Sequence, residues 1–137
     1  LLAACGTSAA PSRPGYAAAL ATLCDRSRAT IEALGQTTTP AALERTLPKQ
    51  IAEYRRFLRR ASSLVPPPAQ RRRAREWAAA YGLWIDGSRY TLQALRAKDY
   101  NAVFRIQDGA LIWLRRSEAL ARALGAPECA RRPFSQP

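Results

Sequence analysis

Apolar residues recur at steps of three and four positions over most of the chain, a spacing that predicts amphipathic helices. The first predicted helix starts at Tyr16 and stops at Gly35. The second starts after the N-cap Thr39, with a proline in its first turn, and runs to the Pro66-Pro67-Pro68 break. Because Pro48 interrupts this helix, we expect a kink near residues 44–48 or a short first piece.

Two more helices are predicted beyond the proline break. The third covers residues 69–97, and the fourth runs from the N-cap Asp99 to Gly125. Gly82 and Gly87 weaken the third helix, which indicates a close approach of a neighbouring backbone, a bend, or a tolerated defect. Since no stretch alternates with period two for long, the sequence predicts an all-α fold, an antiparallel up-down-up-down four-helix bundle.

Length and charge limit what the chain can be. Its 137 residues suffice for one domain with a single core, which we place at residues 16–130, and residues 131–137 form a basic C-terminal tail. The formal net charge is +12, carried by 20 arginines and 2 lysines. A strongly basic protein attracts nucleic acid, anionic lipid or acidic polymers, and composition does not choose among them.

The three cysteines are an odd number, which one bonded pair and one cysteine with a separate role would explain. Leu2-Ala3-Ala4-Cys5 resembles the lipobox that ends bacterial lipoprotein signal peptides. The resemblance implies that residues 1–4 are the end of a signal peptide and that Cys5 carries lipid. It places the protein on the extracytoplasmic face of the bacterial cell membrane. The small, polar and breaker-rich residues 5–15 are typical of a flexible tether.

Cys24 and Cys129 are expected to form a disulfide. In a four-helix bundle of alternating direction, the start of the first helix and the finish of the fourth lie at the same end. Cys24 is two turns into the first helix, and Cys129 follows the last helix by a few residues, so the two can meet. A disulfide requires an oxidising compartment, in agreement with export.

Three local features together resemble a group of helical lipoproteins and secreted proteins from high-GC actinobacteria. They are the early cysteine (Cys24), the proline-rich break at residues 64–69 and the closing segment at residues 124–129. The likeness covers most of residues 16–130. It implies a disulfide-pinned bundle and supplies no activity.

The chain offers little to catalysis. It has no histidine, no glycine-rich phosphate loop and no nucleophile elbow, and its carboxylates form no recognisable spaced pair. Ser88 and Ser117 lie on apolar stripes, and we interpret them as packing residues bonded to helix carbonyls. Three scattered thiols without histidine do not form a zinc site. We therefore predict a protein that is not an enzyme and holds no metal or cofactor.

Arginines cluster where the second predicted helix is followed by the third. Several of them stand at a helix start, where the macrodipole favours anions instead. By the bundle argument they share an end with Cys5, so an anionic membrane would meet both. The residues predicted to bind an anionic surface are Arg59, Arg60, Arg71, Arg72, Arg73 and Arg75. The alternative is a solvated face that reflects arginine-rich composition.

Aromatic residues gather on the last two predicted helices, and core packing is their default interpretation. The alternative function is a carrier or sensor that holds an apolar small ligand between the third and fourth helices, lined by Trp77, Tyr81, Trp84, Phe104 and Trp113. Nucleic-acid binding requires that the lipobox interpretation be wrong, because export separates the protein from most nucleic acid. The leading prediction is a lipid-anchored, exported interaction or envelope-structural protein, whose protein partner stays unknown.

Overall fold

The computed structural model describes residues 15–133, and Cys5 and the predicted tether before Gly15 lie outside this range. The described residues form four α-helices and no strand, namely α1 (Gly15–Ala33), α2 (Pro40–Ser62), α3 (Arg71–Arg96) and α4 (Tyr100–Ala123). A short 3₁₀ turn precedes α3 at Pro68–Gln70. A second, which we call the C-terminal turn, follows α4 at Pro127–Ala130. The predicted all-helical bundle is confirmed.

The helices begin and end where local chemistry predicts. The Thr39 hydroxyl accepts a hydrogen bond from the Ala42 amide at 3.1 Å, and the Asp99 carboxylate accepts one from the Ala102 amide at 2.9 Å. Each bond satisfies an amide that the first turn of a helix leaves without a partner. The stop signals after α1 and α4 are glycines with positive φ angles, at Gly35 (84°) and Gly125 (81°).

The core has two parts that meet along α2 and α3. One surrounds the first half of α1 and the end of α4, and its buried members include Leu20, Phe57, Trp77 and Leu124. The other lies nearer the α3–α4 connection, where the buried side chains are Leu47, Ile51, Ile85, Ala94, Leu95 and Val103.

The second helix is buried on a broader face than its apolar stripe predicts. Phe57 is only 4% exposed, and Glu53 and Gln50 are also buried. The reason is that α2 packs against α1 on one side and against α3 on the other. A helix between two neighbours hides more than one stripe, and the carboxylate of Glu53 is compensated by Arg56 at 2.7 Å.

The third and fourth helices pack most closely around Gly87. A methyl group added at Gly87 would lie 2.5 Å from the Ala110 Cβ, a separation that carbon atoms do not tolerate. Gly82 differs, because the nearest atom to an added methyl group is the Leu58 Cδ2 at 3.8 Å. Of the alternatives left open by the sequence, close approach of a neighbouring helix is the correct one at Gly87.

The backbones of the first and fourth helices do not approach one another closely. Among the described residues, no Cα atom of α1 lies within 8 Å of one in α4. The C-terminal turn contacts both helices instead, and the fully buried Ala126 lies just before it. This turn therefore acts as a spacer between α1 and α4.

Candidate functional site

Cys24 and Cys129 are bonded, as predicted. Their sulfur atoms are 1.96 Å apart and their Cα atoms 5.1 Å apart. The bond joins the middle of α1 to the C-terminal turn across a sequence separation of 105 residues. It therefore holds the C-terminal turn against α1.

The six predicted surface arginines lie at one end of the molecule, which we call the arginine end: Arg59, Arg60, Arg71, Arg72, Arg73 and Arg75. All six are exposed. Tyr16, in the first turn of α1, lines a surface groove together with Arg71 and Arg75. Arg73 reaches the last turn of α4, where its guanidinium donates to the Ala123 carbonyl at 3.3 Å. The arginine end thus includes the start of α1 and the finish of α4.

Carboxylates compensate little of this charge. Within residues 15–133, the ion pair at the arginine end joins Arg72 to Glu76 at 3.6 Å, and the Arg72 side chain remains 87% exposed. The other five arginines have no carboxylate within 4.0 Å in the described part of the chain. The hydrogen bond from Arg73 to a terminal carbonyl of α4 is a local stabilising role that the sequence did not reveal.

An apolar loop projects between these arginines. Val65 is 81% exposed and begins the proline segment that connects α2 to the 3₁₀ turn before α3. The neighbouring groove has a volume of about 380 Å³, with Leu64, Pro66 and Trp77 among its lining residues. In the sequence, these prolines indicate only the end of a helix. The combination of an exposed apolar side chain with surrounding cations emerges only in three dimensions.

The aromatic residues do not assemble between α3 and α4 as the alternative hypothesis required. Phe104 is 67% exposed, and Trp113 has no ring contact within the described residues. Trp77, Tyr81 and Trp84 instead contact one another and two aromatic side chains of α2. The predicted set of five is therefore split, and its buried part forms an α2–α3 cluster.

Burial changes the acidity of the tyrosines in this cluster. It raises the pKa of Tyr54 to about 12. The pKa of Tyr81 is also well above its ordinary value, chiefly because of burial and secondarily because of the negative charge of nearby Tyr54 and Glu53 groups. Both phenols are therefore neutral hydrogen-bonding groups at physiological pH. At the C-terminal segment, the hydrogen bond to Glu118 raises the pKa of Arg132.

The two serines on apolar stripes have the packing role that the sequence indicated. Ser88 donates to the Trp84 carbonyl at 3.3 Å, and Ser117 donates to the Leu114 carbonyl at 2.7 Å. Among residues 15–133, no three histidine, cysteine, aspartate or glutamate side chains are grouped so that they could hold a metal ion. None of the described helices combines the length and apolar character that a membrane span requires.

No protein-family model, no curated protein and no solved structure matches this chain.

Proposed function

We propose that this chain is a non-enzymatic, lipid-anchored protein of the bacterial envelope that contacts an anionic membrane surface through its arginine end. Lipid on Cys5 is the anchor, as the resemblance of Leu2-Ala3-Ala4-Cys5 to the lipobox implies. The observation that carries the proposal is the exposed, mostly unpaired arginine cluster around Val65, at the end of the molecule where α1 starts.

The position of the cluster suits a tether that starts at Cys5. Cys5 and Gly15 are ten positions apart, and a chain of that length spans at most about 35 Å. Gly15 begins α1 beside the groove that Arg71 and Arg75 line. An anchor of this length keeps the arginine end near the lipid surface, whereas the α3–α4 connection lies a full helix length away.

Physical chemistry favours such a contact. An arginine close to an anionic leaflet contributes about 1 kcal/mol of binding free energy. A valine that projects among cations adds apolar contact at the boundary between headgroups and acyl chains. Stable membrane attachment commonly needs two contributions, and here a lipid chain and a basic surface would act together.

Vesicle binding tests the contact. The unlipidated chain with Cys5→Ser should sediment with vesicles that contain phosphatidylglycerol and not with purely zwitterionic vesicles. Binding should weaken as salt is added, because exposed charges are screened over about 8 Å at physiological ionic strength. The triple variant Arg71→Gln, Arg72→Gln, Arg73→Gln should lose most of the binding. Separately, fatty-acid labelling in cells should mark the wild type and not Cys5→Ala.

The matched control removes the same charge at the opposite end of the bundle. Arg96, Lys98 and Arg105 are exposed and lie around the α3–α4 connection. Replacing these three with Gln should leave vesicle binding within about twofold of the parent, because distant charges are screened. Equal losses in the two triple variants would mean that net charge alone drives binding. No binding to anionic vesicles at low salt would remove the proposed contact.

We also propose that the four helices alternate in direction and that α2 bends near Pro48. The alternation is supported by two contacts between helix ends. Arg73 at the start of α3 reaches Ala123 at the finish of α4, and Trp77 near the start of α3 contacts Phe57 near the end of α2. The bend is supported by the missing amide of Pro48, because it removes one hydrogen bond inside a helix that continues from Pro40 to Ser62.

A further inference from the structure

A cavity lies between the helices beside the disulfide, and none of its lining residues belongs to the arginine end. Its volume is about 170 Å³, and side chains from all four helices line it. The C-terminal turn contacts both α1 and α4, and Ile31 of α1 and Leu114 of α4 line the cavity. An apolar cavity of about 150 Å³ is large enough to bind benzene, so one aromatic ring fits here.

Four aromatic side chains form one part of the wall. Tyr54 and Phe57 come from α2, and Tyr81 and Trp84 come from α3. The ring centroids of Tyr54 and Trp84 are 4.5 Å apart, and those of Phe57 and Tyr81 are 5.2 Å apart. Because each ring is supported by another ring, the wall is formed before any ligand arrives, which lowers the entropic cost of binding.

One hydrogen-bond donor in the lining has no partner. The Nη1 atom of Arg28 is buried and forms no hydrogen bond within the described residues, while its Nη2 atom binds the Asp25 carboxylate at 2.6 Å. A buried donor of this kind favours an acceptor atom brought in by a ligand.

Two arginines of the lining already have carboxylate partners. Arg28 has Asp25 as its carboxylate partner, and Arg132 forms an ion pair with the buried Glu118 at 2.7 Å. The third arginine of the lining, Arg131, is exposed to solvent, and Glu128 adds a second carboxylate beside Glu118. A ligand carboxylate would therefore be repelled by these two groups, while solvent weakens its attraction to Arg131. The lining thus offers apolar contact and a hydrogen-bond donor but disfavours a ligand anion.

We propose that this cavity binds a neutral, single-ring aromatic compound whose one acceptor oxygen receives a hydrogen bond from the Arg28 guanidinium. The ring packs between the α2–α3 aromatic cluster and the Ile31 and Leu114 side chains. The segment after α4 completes the site, because Cys129 and Arg132 line it and the disulfide and the Glu118 ion pair hold that segment in place. The inference does not depend on the lipid anchor or on the membrane contact.

Calorimetric titration of the unlipidated full chain tests it with three compounds of similar size. Acetophenone is neutral and carries an acceptor oxygen, ethylbenzene lacks the acceptor, and benzoate carries a charge. Acetophenone should bind saturably with a Kd of roughly 1 mM or tighter, as good small ligands do. Ethylbenzene and benzoate should bind about tenfold more weakly or not at all, because the first leaves Arg28 without an acceptor and the second faces Glu118.

Two pairs of variants locate the binding. Arg28→Met should weaken acetophenone binding by about tenfold, whereas Arg26→Met, which removes the same charge from an exposed position of α1, should not. Leu114→Phe fills the cavity and should abolish binding, whereas Leu111→Phe, outside the cavity lining, should preserve it. Circular dichroism and the melting temperature show whether each variant is folded.

The proposal is overturned in any of four ways. If acetophenone binding to the wild-type protein does not saturate, the cavity is only a packing gap. If ethylbenzene binds as tightly as acetophenone, the Arg28 donor has no role in binding. If benzoate does, the site does not discriminate against charge. If folded Leu114→Phe retains full binding, the compound binds elsewhere.

Discussion

Gly87 determines how closely α3 and α4 approach. An added methyl group would meet the Ala110 Cβ at 2.5 Å, and this neighbour is attached directly to the α4 backbone, so it cannot rotate away. The helices must therefore separate if Gly87 acquires a side chain. Gly109 provides the contrast, because it lies one residue from this contact yet has no atom within 4 Å of an added methyl group.

We expect Gly87→Ala to lower the free energy of unfolding by about 1–3 kcal/mol, since overpacking forces backbone shifts. Gly109→Ala should raise it by roughly 1 kcal/mol, because alanine is the better helix former and no contact opposes it. Urea unfolding followed by circular dichroism measures both changes. A stabilising Gly87→Ala would show that the two helices are not in close contact there.

At the scale of the element, α3 has cations at both of its ends, and these have opposite electrostatic effects. Arg71 stands at its first residue, near the positive pole of the helix dipole, and Arg96 stands at its last residue, near the negative pole. Neither side chain has a carboxylate within 4.0 Å in the described range. The helix dipole therefore opposes Arg71 and favours Arg96, which supports the view that the arginine end serves something outside the fold.

This asymmetry predicts opposite changes in stability. At low ionic strength, Arg71→Gln should raise the free energy of unfolding by about 0.3–1 kcal/mol, and Arg96→Gln should lower it by a similar amount. Both differences should shrink in high salt, because the dipole interaction is screened. Melting temperatures at two salt concentrations check the prediction. Destabilisation by Arg71→Gln at low salt would indicate that this arginine has a structural partner.

At the scale of the whole molecule, the disulfide connects the two ends of the fold. The 105-residue separation of Cys24 and Cys129 includes all of α2, α3 and α4. The bond holds the C-terminal turn against α1, and within residues 15–133 no Cα atom of α1 lies within 8 Å of one in α4. Much of the attachment of α1 therefore depends on this one covalent link and on α2.

The variant Cys24→Ala, Cys129→Ala should lose about 4–5 kcal/mol of unfolding free energy, the value expected for a closed loop of about 100 residues. Urea unfolding with and without reductant measures the loss. Reductant should destabilise the wild type and leave the double variant unchanged, and Cys5→Ser should behave as the wild type. If oxidised and reduced wild type unfold at the same urea concentration, the bond does not contribute to stability.

The features that the sequence predicted correctly are those with a local physical cause. Thr39 and Asp99 cap helices because a side-chain oxygen reaches an amide three residues ahead, and Gly35 ends a helix because it adopts a positive φ angle. The Cys24–Cys129 bond was predictable because the expected lengths and order of the helices let the segment after the fourth helix reach the first.

Tertiary packing determined which side chains are buried and how the helices are spaced. No short-range pattern shows that α2 lies between two helices and so buries Phe57 and Glu53, or that the C-terminal turn spaces α1 from α4. The aromatic residues of α3 turned toward α2 for the same reason, since a helix with apolar side chains on more than one face takes its neighbours from the global arrangement. The sequence determined the helices, their caps and the covalent link, because these depend on residues near in the chain or on helix length. The cavity and the exposed loop among the arginines exist only through distances between helices, which depend on the packing of the whole molecule.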